Sequence, residues 1–166
     1  IAQVAPNFTT ARMIRDYQDR YYNPQFERAG KVKADNFKMA KEMAAWKYKI
    51  SKAWDSIEVK GVEMSDGITN KMKIGQEYPV KVHLDLKGLS CSEIGLELVI
   101  TENDNKENAR IIETVELLAE NCEGTVCCYK HNLHPNHPGT FNYGFRIYAK
   151  NKNLAHRQDF RYVRWI

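Results

Sequence analysis

Cysteine is scarce in this sequence, and long apolar runs are missing. Only four of the 166 residues are cysteine, namely Cys91, Cys122, Cys127 and Cys128. Because adjacent side chains on a strand point to opposite faces, Cys127 and Cys128 do not suggest a disulfide framework, and we expect reduced thiols in the cytoplasm. No apolar stretch approaches the ~18 residues of a membrane-spanning helix. We therefore expect no membrane partner.

The start of the sequence also lacks the features of a secretory signal. Residues 1–6 have neither a basic flank nor an apolar core. Because the first residue is Ile1 and not Met, we expect the sequence to be part of a longer chain.

The motifs of common enzyme classes are absent as well. There is no G-x-S-x-G elbow, no glycine-rich phosphate loop and no H-E-x-x-H. One group of residues suits zinc by residue type: Cys122, Cys127, Cys128, His131, His134 and His137. However, the adjacent cysteines face opposite ways on a predicted strand, and the histidines recur every three residues across a proline-containing turn. We therefore expect no metal site, and the sequence offers no catalytic residue.

The positive charge is concentrated in the first third of the sequence. Residues 1–54 hold eleven Lys or Arg against five Asp or Glu, a net charge of +6, whereas residues 55–166 hold fourteen against sixteen, a net charge of −2. Basic residues on a helix usually form a solvated face, and no aromatic recognition motif accompanies them here. We expect no nucleic-acid partner.

The spacing of apolar residues changes at Trp54-Asp55-Ser56, where helical spacing gives way to alternation. A first helix is predicted by Met13, Ile14, Tyr17 and Tyr21, with Thr9 or Thr10 as its N-cap. Proline lacks a backbone donor, so we expect Asn23-Pro24 to interrupt this helix. A second helix is predicted to run to about Trp54, with a bend near Gly30 and a new cap at Asp35 or Asn36.

The predicted helices carry more aromatic surface than solvent-facing helices need. Their aromatic side chains are Tyr17, Tyr21, Tyr22, Phe26, Phe37, Trp46, Tyr48 and Trp54. At ~150 to 250 Å² each, these rings would bury well over ~1,000 Å² together. Two short helices cannot fully cover each other, so we expect either the following sheet or a further domain to cover the remaining surface.

Seven segments after Ile57 alternate apolar and polar residues, as half-buried strands do. The clearest contains Phe141, Tyr143, Phe145 and Ile147. Turn signals such as Lys87-Gly88 separate the segments. Seven short antiparallel strands in roughly 110 residues suit an immunoglobulin-like β-sandwich. The predicted fold is mainly β, with a helical segment at residues 1–54 and a β-sandwich domain at residues 55–166.

Exposed tyrosines on such a sandwich would suit sugar recognition. The apolar face of a sugar packs on a flat aromatic ring, while polar neighbours bind its hydroxyl groups. By strand parity, Tyr148 lies opposite Phe145 and Ile147, which makes it a candidate outward-facing ring. Tyr129 and Tyr162 are further candidates, although tyrosines in strands more often serve ordinary packing.

Several segments, in this order, resemble the C-terminal end of bacterial α-glucan (glycogen or maltodextrin) phosphorylases. They are Thr10-Ala11-Arg12-Met13-Ile14-Arg15-Asp16-Tyr17, Ala44-Ala45-Trp46-Lys47 through Ala53-Trp54-Asp55-Ser56-Ile57, Gly88-Leu89-Ser90, Ile94-Gly95-Leu96-Glu97-Leu98-Val99 and the region 139–165. Together they extend over nearly the whole sequence.

The resemblance implies a parent enzyme that phosphorolyses α-1,4-glucan to glucose 1-phosphate, with pyridoxal phosphate between two catalytic α/β domains. No catalytic or cofactor-binding residue of that family has a counterpart here, so no cofactor is expected on this sequence itself. The resemblance also implies that residues 1–54 cross back over the α/β domains, and that the sandwich is an accessory module, structural or weakly glycan-binding. The alternative is a stand-alone immunoglobulin-like interaction module.

Overall fold

The computed structural model describes residues 9–65, 72–103 and 109–166. The chain divides into two compact units, one ending at Trp46 and one comprising Lys47–Ile166. Within the described ranges, no helix combines the length and the apolar character needed to cross a membrane.

The first unit is helical. Helix α1 spans Thr10–Tyr17, a π-helical stretch follows at Gln18–Tyr22, and helix α2 spans Asn23–Ala53. The predicted cap is confirmed, because the Thr9 hydroxyl accepts a hydrogen bond from the Arg12 amide at 3.2 Å. A boundary between helical elements falls at the predicted Asn23-Pro24: the π-helical stretch ends at Tyr22 and α2 begins at Asn23, which places Pro24 in the first turn of α2, where no intrahelical donor is required.

The bend in α2 falls at Ala34, not at Gly30. Ala34 is extended, and Asp35, Asn36 and Phe37 follow with φ of 49°, 54° and 60°. Asp and Asn tolerate this left-handed conformation better than most residues. A break in this helix was predicted, and the structure has it four residues after the predicted position.

The apolar side chains of the first unit are largely uncovered. Seven of them are 47–82% exposed: Met13, Ile14, Tyr17, Tyr21, Tyr22, Phe26 and Phe37. The Tyr17 ring lies 5.9 Å from the Tyr21 ring and 6.3 Å from the Tyr22 ring. These contacts join the tyrosines to one another but leave each of them about half exposed or more.

The described residues of the second unit form seven antiparallel strands, as predicted. Their bounds are Glu58–Met64 (β1), Tyr78–Asp85 (β2), Ile94–Asn103 (β3), Ala109–Glu123 (β4), Val126–Leu133 (β5), Phe141–Ala149 (β6) and Val163–Trp165 (β7). The spatial order is β1-β2-β5-β4-β3-β6-β7. The first half of β4 pairs with β3 and the second half with β5, across an irregularity between Ala119 and Asn121.

Because β4 serves both neighbours, hydrogen bonding joins all seven strands into one sheet, which forms an open half-barrel. The predicted sandwich requires two separate sheets. The helical start and the antiparallel strands are confirmed, and the immunoglobulin-like classification stays a prediction.

The core of the second unit lies on one face of this sheet, here called the inner face. Its fully buried side chains include Val82, Leu84, Leu96, Leu98, Leu117, Tyr129 and Ile147. The end of α2 belongs to the same unit, where Ile50 and Trp54 are buried and Trp54 contacts Tyr162 at a ring separation of 5.3 Å. The structural division after Trp46 therefore precedes the domain boundary predicted after residue 54.

Candidate functional site

The face of β3 and β6 opposite the core, here called the outer face, carries a buried ion cluster. Glu97 of β3 pairs in register with Arg146 of β6, and Glu97 is only 3% exposed. Arg146 Nε donates to Glu97 Oε1 at 2.6 Å, and Arg157 Nη1 donates to Glu97 Oε2 at 2.9 Å. Two arginines thus satisfy both oxygens of one buried carboxylate, which raises the pKa of Arg157.

Tyr148 lies beside this cluster, on the outer face as strand parity predicted. Its ring is only 9% exposed, however, because it packs over Gly95 and the Arg157 guanidinium lies 5.3 Å from the ring centre. Burial, followed by the nearby Glu116 charge, raises the pKa of Tyr148 to about 12. The prediction of an outward ring was right about the face and wrong about exposure, because the segment after β6 covers the ring.

The other two candidate tyrosines have different environments. Tyr129 lies on the inner face at 1% exposure, and its hydroxyl donates to the carbonyl oxygens of Cys91 and Ile94, both at 3.3 Å. Burial raises the pKa of Tyr129. Tyr162 is half-buried, 4.8 Å from the Phe160 ring. Tyr129 and Tyr148 are on opposite faces and do not form a joint platform, and glycan binding stays a prediction.

Two cavities lie on the second unit. One has a volume of about 370 Å³ and is lined by Tyr148, Lys150, Asn151, Leu154, His156 and Arg157. The other, of about 1210 Å³, is mainly apolar and is lined by residues that include Leu98, Ile100, Val115, Leu133, Phe141 and Tyr143, with His131, His134 and His137. Among the described residues, no serine or cysteine lines either cavity, so these linings lack the nucleophile–base pair of a serine or cysteine hydrolase.

The cysteines correct a further prediction. Cys122 and Cys127 face each other across the β4–β5 hairpin and form a disulfide, whereas Cys91 and Cys128 are free thiols. The expectation of reduced thiols is therefore wrong for Cys122 and Cys127: the adjacent residues Cys127 and Cys128 do not pair with each other, but Cys127 pairs with Cys122. The hairpin instead places Cys122 and Cys127 opposite each other, on either side of a short turn at Gly124.

The residues that could bind a metal ion in the structure differ from the cysteine and histidine group that the sequence suggested. The Sγ atoms of Cys91, Cys122 and Cys127 lie within 4.8 Å of one another. Cys128 faces the other side of the sheet, and burial raises its pKa. His134 and His137 are exposed on the connection after β5. Sequence spacing gave no sign of Cys91, which is 31 residues from Cys122 and becomes its neighbour only when the chain folds.

A comparison with protein families identifies the second unit. The model of the glycogen phosphorylase C-terminal domain matches residues 54–166. This chain belongs to that family. The resemblance noted in the sequence is thereby confirmed.

Individual relatives are similar to the chain at modest identity. The maltodextrin phosphorylase of Thermococcus litoralis is 28% identical over 170 residues, which cover 99% of this chain and 19% of the relative. The glycogen phosphorylases of Mycobacterium bovis and Mycobacterium tuberculosis are each 25% identical over 114 residues, covering 69% of this chain and 13% of each relative. The chain thus spans less than a fifth of the length of these relatives.

Proposed function

We propose that this chain is a noncatalytic C-terminal part of an α-glucan phosphorylase, which phosphorolyses α-1,4-glucan to glucose 1-phosphate. The observation that carries the proposal is the family match over residues 54–166, and the similarity to a maltodextrin phosphorylase extends it over 99% of the chain. On this proposal the partners are the catalytic α/β domains of the parent chain, and the location is the cytoplasm.

The noncatalytic assignment is supported by the ionisable groups of the described residues. Pyridoxal phosphate, the cofactor expected in the parent enzyme, needs a lysine in an enclosed pocket. Every described lysine is exposed or half-buried. The buried charged residues, Asp85 and Glu97, are both held by cationic side chains. These residues do not fit the cofactor, so we place its site on the catalytic domains and derive no reaction step from this chain.

The first unit is proposed to pack against the catalytic domains. Its seven exposed apolar side chains include five aromatic rings at 47–82% exposure: Tyr17, Tyr21, Tyr22, Phe26 and Phe37. At ~150 to 250 Å² per ring, these five present on the order of 500 Å² of surface that a partner would cover. The second unit buries a core of its own, which suits an accessory module with a structural or weakly glycan-binding role.

The proposal is tested by deletion in a full-length phosphorylase that ends in this sequence. Removal of residues 47–166 leaves the first unit intact, so we expect retained cofactor binding and measurable turnover, with lower thermal stability or altered glucan preference. Purified chain supplied with maltodextrin, phosphate and pyridoxal phosphate should release no glucose 1-phosphate. Release of glucose 1-phosphate by the chain alone, or complete loss of cofactor binding after the deletion, would contradict the proposal.

A matched pair of point variants tests the packing role of the first unit. In the full-length enzyme, Phe26→Ala removes the most exposed ring, whereas Lys31→Ala removes an exposed charged side chain from the same helix. We expect Phe26→Ala to lower the thermal stability of the enzyme more than Lys31→Ala does. Equal effects of the two variants would contradict the proposed packing role of the first unit. The reading frame upstream of Ile1 independently separates a phosphorylase part from the alternative, a stand-alone interaction module, since only the first requires catalytic domains there.

Weak glycan binding has one structural site in its favour. The 370 Å³ cavity combines the edge of Tyr148 with the polar side chains of Asn151 and His156, a combination that suits a sugar ring and its hydroxyl groups. Titration of maltoheptaose into the labelled chain should shift the amide NMR signals of these three residues and not those of the distant His134. No shift at millimolar sugar would leave the second unit with a structural role alone.

A further inference from the structure

Three sulfur atoms converge at the turn between β4 and β5. Cys122 and Cys127 are opposite residues of the hairpin, and Cys91 begins the short 3₁₀ turn Cys91–Glu93 before β3. All three Sγ atoms lie within 4.8 Å of one another. The group therefore draws on two segments that are distant in sequence.

The fold holds these segments together independently of the sulfur atoms. Tyr129 lies two residues after Cys127 on the same face of β5, and its hydroxyl binds the carbonyl oxygens of Cys91 and Ile94. The Ser90 amide donates to Glu93 Oε2 at 2.8 Å, which closes the turn that contains Cys91. The position of Cys91 beside the hairpin is thus set by hydrogen bonds that remain when the disulfide is reduced.

The geometry points to a metal site. We propose that, in the reduced chain, Cys91, Cys122 and Cys127 bind one thiophilic metal ion of the Zn²⁺ class, and that the Cys122–Cys127 disulfide is the oxidised, metal-free form of the same site. Zn–S bonds of about 2.3 Å in a tetrahedron place sulfur atoms about 3.8 Å apart. The three Sγ atoms already lie within 4.8 Å of one another, so small side-chain rotations after reduction would bring them to this spacing. Thiolates are the ligands that soft cations prefer.

The environment also suits a three-sulfur site. Cys127 is buried, Cys91 is half-buried and Cys122 is exposed, so solvent reaches the group from one side and supplies a fourth ligand. Cysteines in a reducing compartment more often serve metal binding or catalysis than structural disulfides. Cys128 faces away from the group and offers a matched control within the same strand.

The two forms interconvert by a balanced two-electron step. A dithiol reductant transfers two electrons to the Cys122–Cys127 bond, which breaks to give two thiolates, while the reductant becomes a disulfide and releases its two protons to solvent. Binding of the metal then displaces the remaining thiol proton from Cys91. In the reverse direction, hydrogen peroxide takes two electrons from the Cys122 and Cys127 thiolates and two protons from solvent to give two water molecules, the Cys122–Cys127 bond forms, the metal ion leaves, and Cys91 takes up a proton from solvent.

The test uses the whole chain, reduced, stripped with a chelator and handled without oxygen. Co²⁺ serves as the coloured probe and Zn²⁺ as the competitor. We expect one equivalent of Co²⁺ with a thiolate-to-cobalt charge-transfer band, displacement by Zn²⁺, and release after peroxide treatment. Cys91→Ser should weaken binding by at least about 100-fold, since loss of an outer partner alone costs 10–100-fold. Cys128→Ser should bind as the wild type does.

Alkylation of the wild-type chain gives a second readout that does not depend on a variant folding. With Zn²⁺ present, mass spectrometry should show that Cys91, Cys122 and Cys127 are protected from iodoacetamide, whereas labelling of Cys128 is unchanged. The proposal is overturned if the reduced chain binds no metal, if Cys91→Ser binds as tightly as the wild type, or if Zn²⁺ protects Cys128 to the same extent as the other three.

Discussion

Removal of Arg146 tests how the buried Glu97 carboxylate is held. Arg146 binds Glu97 Oε1 from the neighbouring strand, and its guanidinium also lies 5.3 Å from the centre of the Trp165 ring. Arg157 binds the other oxygen from the segment after β6. The Arg146 side chain is 20% exposed and that of Arg157 is 50% exposed. The two arginines therefore share one carboxylate but differ in how well water can replace them.

The expected magnitudes follow from this difference. Loss of one partner of a buried ion pair costs about 3–5 kcal/mol when the remaining charge is left uncompensated. Because Arg157 still compensates Glu97 in Arg146→Ala, we expect the free energy of unfolding of the second unit to fall by about 2–3 kcal/mol. Arg157→Ala should cost only about 1 kcal/mol, since water reaches its half-exposed position.

The assay is urea unfolding of the chain, followed by the far-ultraviolet circular dichroism of the sheet. In a chain of this size, about 2–3 kcal/mol corresponds to a fall in Tm of roughly 5–10 °C. Lys130→Ala is the control, because Lys130 pairs with Glu120 on the exposed surface, and it should cost at most about 0.5 kcal/mol. Equal costs for Arg146→Ala and Arg157→Ala, or a control as costly as Arg146→Ala, would refute the reasoning.

Two further predictions concern single residues of the second unit. The Lys87 ammonium donates to Asp85 Oδ2 at 2.8 Å and lowers the pKa of Asp85 from 3.8 to about 2. The ionised Asp85 therefore adds to the free energy of unfolding above pH ~4, and this contribution is lost as the pH falls through about 2. Acid unfolding of Asp85→Asn should therefore be less steep in that range, and equal slopes would contradict this. A Cβ on Gly95 would overlap the Tyr148 ring, so Gly95→Ala should cost about 1–3 kcal/mol in urea unfolding. Gly61→Ala, which meets nothing within 4 Å, should be nearly neutral, and similar costs for both would show that the ring moves freely.

The number and type of the strands could be predicted because alternation is a local signal. Phe145 and Ile147 of β6 are buried as their spacing indicated. The joining of the strands into one sheet was not predictable in this way. It depends on the length of β4, which continues to Glu123, and on the irregularity after Ala119 that lets one strand change partners.

The candidate site was harder to predict because burial depends on segments that are distant in sequence. Parity placed Tyr148 on the correct face, but no local pattern indicates that Arg157 and its neighbours return to cover that face. Similarly, Cys122 and Cys127 are close in sequence and lie on the two strands of one hairpin. The position of Cys91, in contrast, depends on a hydrogen bond from the Tyr129 hydroxyl of β5 to the Cys91 carbonyl oxygen. Local spacing thus gives the direction of a side chain, and only pairing gives its neighbours.

The backbone of the first unit supports the view that its stability depends on a partner. Three consecutive residues, Asp35–Phe37, have left-handed backbone angles, which cost on the order of 3 kcal/mol together and persist only where the surroundings impose them. Phe37 remains half exposed at this break, so its own unit does not supply the compensating burial. On the proposal that a catalytic domain covers the exposed rings, the same contact would supply that burial and fix the backbone of α2 at Asp35–Phe37.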